Sequence, residues 1–199
     1  MGLQFKVIKK FLLFVIFLVL VSSVHASSVY LAPNGQKVTQ WLMHYTCSEN
    51  YNYQCVDDIL FGDGQAIYSS SSASTLEIHH YSDVPAGTID SNDVINFVQA
   101  HYRSLGSSFT RSWCFYSVLS RFSGFFHQTY DHPFVLCTPY GTGDVYFTVA
   151  YYFNPFTGNP WTVNDINSLA MGMRSALGSD STYTFVMESS FLSVNYTPQ

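Results

Sequence analysis

Charge is scarce in this chain. Charged residues make up 11% of its 199 positions, against about 25% in typical soluble domains. Lys and Arg together number only 8, which excludes a nucleic-acid binder working through clustered basic residues, so no nucleic-acid partner is expected. The scarcity of charge also argues against the surface of an ordinary cytosolic enzyme. There is no HExxH pair for a zinc hydrolase and no Gly-x-Ser-x-Gly elbow for a serine nucleophile. No internal repeat is present, and the only low-complexity stretch is Ser69 to Ser72. The chain has the means to fold, because 47% of it is hydrophobic and 18% aromatic, far from the composition of a disordered segment.

One long apolar run exists. Phe11 to Val21 follows Lys6, Lys9 and Lys10, and Val24-His25-Ala26 places small residues near a cleavage point. This is the layout of a secretory signal peptide over residues 1–26. Eleven helical residues rise only about 16 Å, too short for a hydrocarbon core of about 30 Å. A membrane is therefore expected to matter only during export. Removal of residues 1–26 leaves 173 residues, with 5 basic against 13 acidic side chains, net −8. Lys37 is then the sole lysine.

Four cysteines, Cys47, Cys55, Cys114 and Cys137, remain in the exported part. An even count there points to disulfides, and three pairings are possible. Cys47–Cys55 with Cys114–Cys137 is preferred, because each bridge closes a local loop or hairpin. The spacings fit no zinc-ligand pattern.

Period-two alternation with β-branched and aromatic residues predicts strands over Val38 to Thr46, Thr75 to Tyr81, Val94 to Arg103, Arg111 to Leu119, Gly124 to Tyr130, Val145 to Phe153 and Tyr183 to Tyr196. Turn clusters punctuate them at Pro33-Asn34-Gly35, Gly62-Asp63-Gly64, Pro85-Ala86-Gly87 and Gly141-Thr142-Gly143-Asp144. One segment breaks the rhythm: Ile166, Leu169, Ala170 and Met173 fall at helical spacing. Thr162 and Asp165 form a capping-box variant at its start, and Gly178 marks its expected end. The expectation is an all-β fold over residues 27–199, a single jelly-roll-like β-sandwich with one short helix before the last strand.

Several pieces of this chain occur together in a recognisable order. They are Asn50-Tyr51-Asn52-Tyr53-Gln54-Cys55-Val56-Asp57-Asp58, Pro85-Ala86-Gly87-Thr88-Ile89, and Asn154-Pro155-Phe156-Thr157-Gly158-Asn159-Pro160-Trp161-Thr162 followed by Asp165-Ile166, Leu169 and Gly172. Val194-Asn195-Tyr196 closes the series. From Trp41 to Tyr196 the chain resembles a β-sandwich family of phage-type virion and tail proteins and prokaryotic surface proteins. The resemblance implies a structural or attachment role and brings no catalytic residues with it. The signal peptide departs from the phage pattern and favours an exported surface version.

The acidic cluster Asp57, Asp58 and Asp63, with Gly62 and Gly64, offers oxygen ligands on a loop, so calcium is a possible ion; no other cofactor is expected. Its bland alternative is turn carboxylates capping backbone amides. The histidines read as structural; His79 and His80 point to opposite faces of one strand, and His80 and His101 are candidates to meet across strands. Glu77 and Glu188 are the acids a glycosidase would need. Tyr51 and Tyr53, in the Cys47–Cys55 loop, are candidate ligand-binding rings with apolar faces for a sugar, and Trp161 is expected in the core. Asn195-Tyr196-Thr197 is a glycosylation sequon. Few charges and many rings suit a secreted, non-enzymatic structural subunit that associates with itself or with other surface proteins. An unpaired terminal strand, or the segment Ser27 to Lys37, is expected to add to a neighbour's sheet. A carbohydrate-binding, lectin-like module and a secreted glycoside hydrolase are the alternatives.

Overall fold

The computed structural model describes residues 26–40, 42–43, 49–57, 66–68, 75–104, 114–123, 126–137, 144–176 and 186–199. Within them run twelve strands: β1 Ser27–Leu31, β2 Pro33–Thr39, β3 Leu42–Met43, β4 Ile67–Tyr68, β5 Leu76–Tyr81, β6 Val94–Ser104, β7 Cys114–Ser123, β8 Phe126–Asp131, β9 Leu136–Cys137, β10 Val145–Tyr151, β11 Leu169–Ser175 and β12 Val186–Thr197. A 3-10 turn spans Asn52–Cys55 and a helix, α1, spans Val163–Asn167.

The strands form two antiparallel six-stranded sheets, as expected of an all-β sandwich. Sheet A has the order β10-β6-β12-β4-β3, with β1 also on β12; sheet B has the order β2-β5-β11-β7-β8, with β9 also on β7. The core between them takes Leu31, Val98, Ala100, Tyr102, Leu192 and Val194 from sheet A. Tyr81, Phe115, Leu119, Met171 and Met173 come from sheet B. Two phenols tie the layers together. Tyr102 on sheet A shares a hydrogen bond with Ser117 Oγ at 2.7 Å and donates toward Gly172 O at 2.8 Å, both on sheet B. Tyr81 on sheet B meets Ser190 Oγ of sheet A at 2.8 Å. Burial pushes the pKa of both phenols up, so they stay neutral at any physiological pH.

The capping box forms as the sequence indicates: Asp165 N donates to Thr162 Oγ1, and Thr162 N donates to Asp165 Oδ2. The helix nevertheless stops at Asn167, and the expected continuation toward Gly178 is instead β11. A strand therefore separates the helix from the last strand. Leu169 to Ser175 is buried at all but one position. A strand covered on both faces carries no alternation, and its apolar run falls on helical spacing by coincidence. Gly172 is required there: a Cβ would lie 1.7 Å from Glu77 O on β5.

A further expectation is corrected at the N-terminal end. Pro33-Asn34-Gly35 is not a turn between elements; it lies within β2, at a register shift against β5. The segment Ser27 to Lys37 holds β1 and β2, and β1 pairs within the chain with β12 from Ser27↔Tyr196 to Leu31↔Leu192. The terminal strand β12 is interior, held between β6 on one side and β1 and β4 on the other.

Cys114 and Cys137 sit directly opposite each other on β7 and β9 and are joined by a disulfide, with Cα atoms 4.1 Å apart. Cys55 is also disulfide-bonded; Cys47 lies outside the described residues.

Candidate functional site

Alternation along β6 sends Val98, Ala100 and Tyr102 into the core, so Gln99, His101 and Arg103 point outward. The registers extend this outer face across sheet A. On β10, Tyr146 lies opposite Arg103, Thr148 opposite His101 and Ala150 opposite Gln99. On β12, Phe191 lies opposite His101 and Ser193 opposite Gln99. β1 adds Tyr30 beside Ser193. The result is a ring-rich face on rigid strands.

At its centre Phe191 stacks on His101, and Tyr30 meets Phe191 edge-on at 5.9 Å. The imidazole is held at both nitrogens, by Ser193 Oγ at 2.8 Å and Thr148 Oγ1 at 3.2 Å. Burial lowers its pKa to about 4, so the ring is neutral at pH 7. Beside it, Arg103 donates from Nη2 to Asp144 Oδ2 at 2.5 Å and places Nε 2.9 Å from Glu188 Oε2. The bond to Asp144, more than any other influence, holds the guanidinium in its charged form. Glu188 falls at the register shift between Met187 and Ser189, and such irregularities re-aim side chains. The guanidinium carbon also stands 5.4 Å from the centre of the Tyr146 ring. His101, Arg103, Tyr146, Thr148, Ser189 and Phe191 line a shallow groove of about 190 Å³. Tyr146 and Tyr152 are each 63% exposed, and Tyr30 is 49% exposed. Phe97 supports Tyr152 edge-on at 5.6 Å. Large rings held in water on fixed strands suit contact with another surface.

Tyr51 and Tyr53 do come together. Their rings stack 5.8 Å apart at 17°, and Tyr51 is 55% exposed. The buried residue between them is the anchor: Asn52 Nδ2 donates to Glu77 Oε1 at 3.1 Å, where His79 Nε2 also lies at 2.9 Å. Gln40 N donates to Glu77 Oε2 at 3.1 Å. This pair rests beside β2 and is separate from the outer face of sheet A.

Asp57 is exposed; Asp58, Asp63 and His44 lie outside the described residues. Among the described residues, no three His, Cys, Asp or Glu side chains gather as a ligand set. His79 and His80 do face opposite ways, one buried and one half-exposed. His80 and His101 do not meet across strands, because β5 and β6 belong to different sheets. Glu77 and Glu188 are both buried, on opposite sheets, and each is bound by its own partners. That is not the arrangement of two acids flanking a cleft. Trp161 is buried and donates from Nε1 to Tyr151 O at 2.7 Å.

The segment from Asn154 to Thr162 has a local structural explanation. Asn154 is buried; its Oδ1 accepts from Phe156 N, and its carbonyl accepts from Gly158 N. Gly158 takes the left-handed backbone conformation with φ 73°. The side-chain amide of Asn195 is occupied by Asn96 at 2.8 Å and Ser28 at 3.3 Å. His101, Arg103, Tyr146 and Phe191 were not singled out from sequence as a group. Their alternation is legible in each strand, but the pairing of β6 with β10 and β12 is not. A scan of family models finds no match for the chain, and neither curated proteins nor solved structures include a similar one.

Proposed function

We propose that the protein is an exported, non-enzymatic building block that works by contact, associating with copies of itself as a subunit of a cell-surface or extracellular assembly. The observation that carries this reading is the outer face of sheet A, where Tyr30 and Tyr146 stand exposed on paired strands and Tyr152 stands exposed just past the end of β10. Interfaces are enriched in such aromatic residues and depleted of charge at their centre. The leader-like residues 1–26, the disulfide between Cys114 and Cys137 and the resemblance to virion and surface sandwiches all fit export followed by assembly. The test is a Tyr146→Ser, Tyr152→Ser double variant. It is expected to keep its circular dichroism spectrum and lose association in sedimentation; association equal to the parent's removes the face from the account.

The groove beside Tyr146 supports a second reading, a glycan-binding module. It offers a ring for the C–H face of a sugar and, in Arg103 and Thr148, polar groups for its hydroxyls. Binding on a glycan array by a protein that stays monomeric is the outcome that favours it.

A further inference from the structure

Sheet edges decide how sandwiches join, because an edge strand presents unmade backbone hydrogen bonds. The edge strands here are unequal. β2 carries Pro33 and Lys37 and is broken by two register shifts against β5. β8 exposes His127, Gln128, Thr129 and Asp131 along its length. β3 has two residues, and β1 has five. β10 has seven, Val145–Tyr151, without a charge, a proline or a register shift against β6. Its other edge has no strand beside it among the described residues. Among the described residues, none of the usual protections against strand addition is present on it.

We infer that two copies of this chain join edge to edge along β10, antiparallel, so that sheet A continues from one copy into the next. This rests on the assembly reading above and names the strand and register that would carry it. The occupant follows from the strand's own sequence. The register that overlaps all seven residues turns about Thr148. It sets Tyr146 opposite Ala150 and Thr148 opposite Thr148 on the outer face, and Phe147 opposite Val149 and Val145 opposite Tyr151 on the inner face. Large side chains thus meet small ones, and two hydroxyls meet at the twofold axis. Cross-strand pairs of this kind, aromatic with β-branched and Thr with Thr, are the favoured ones. Just beyond the strand, Tyr152 of one copy comes beside Asp144 of the other. Tyr30, Tyr146 and Phe191 then form one aromatic face running across both copies.

The test is register-specific cross-linking of the full-length chain after export and purification. Opposed residues in an antiparallel pair have Cα atoms about 4.5–5.5 Å apart, inside the range that a disulfide spans. Thr148 is exposed, so Thr148→Cys leaves the core intact. This variant is expected to shift to a band of twice the mass on mild oxidation. Ala150→Cys, which this register sets opposite Tyr146 and not opposite itself, is expected to stay at single mass. Circular dichroism and thermal melting verify that each variant is folded. A parent protein that associates in sedimentation, with no cross-link from Thr148→Cys, overturns the edge inference and leaves the assembly reading standing. A parent that stays monomeric at every concentration overturns both.

Discussion

The imidazole of His101 lies flat against the ring of Phe191, with centroids 4.3 Å apart and planes 10° from parallel. The stack joins two strands at the middle of sheet A and sets a pH dependence. Burial lowers the pKa of His101 from 6.5 to about 4. Between those values the unfolded chain binds a proton that the folded one does not, so stability rises with pH. The contribution is fully present above pH 6.5 and is lost as pH falls through about 4. His101→Phe, which cannot titrate, is expected to melt below the parent at pH 7.5 and to close the gap at pH 4.5. Melting curves of both proteins at both pH values check this; a gap that is unchanged contradicts it.

Tyr102 is the second prediction. Its hydroxyl serves Ser117 and Gly172, and Ser117 Oγ also lies 2.8 Å from the hydroxyl of Tyr151. Tyr102→Phe keeps the ring and leaves buried polar groups short of a partner. Such a loss costs about 1–3 kcal/mol. Urea denaturation is expected to show a lower midpoint with an unchanged slope. A midpoint equal to the parent's means that the network repairs itself without the hydroxyl.

Gly172 supplies the third. Its missing side chain is the space occupied by the backbone of β5, with Glu77 O 1.7 Å from where a Cβ would lie. Backbone cannot swing aside as a side-chain tip does. Gly172→Ala is expected to destabilise by roughly 3 kcal/mol through forced separation of β5 and β11. Denaturant titration measures it, and a change within about 0.5 kcal/mol, typical of neutral surface substitutions, contradicts the close approach.

How far the fold was legible depended on whether a strand had one wet face. β6 and β10 alternate visibly, since Gln99, His101, Arg103 and Thr148 point outward while Val98, Ala100, Tyr102 and Val149 point inward. β11 has no wet face, so its Leu, Ala and Met residues read as helix, and only Gly172 hints at the strand it is. β1 escaped notice because five residues carry too short a pattern, and its partner lies more than 160 positions away. The capping box was legible because it is local, both partners lying within one turn. The outer face of sheet A was not, because it is made by pairing strands far apart in sequence: Phe191 meets His101, and Arg103 meets Glu188. Tyr51 and Tyr53 were recognised as neighbours, while their anchor through Asn52 to Glu77 needed the fold to bring β5 beneath them.

The central claim is that this protein works by associating with itself through sheet A. Sedimentation velocity on the purified chain over a wide concentration range tests it most directly. The account predicts that the weight-average sedimentation coefficient climbs with concentration as dimers and larger assemblies form. A single monomer boundary that stays unchanged up to the highest concentration would contradict it.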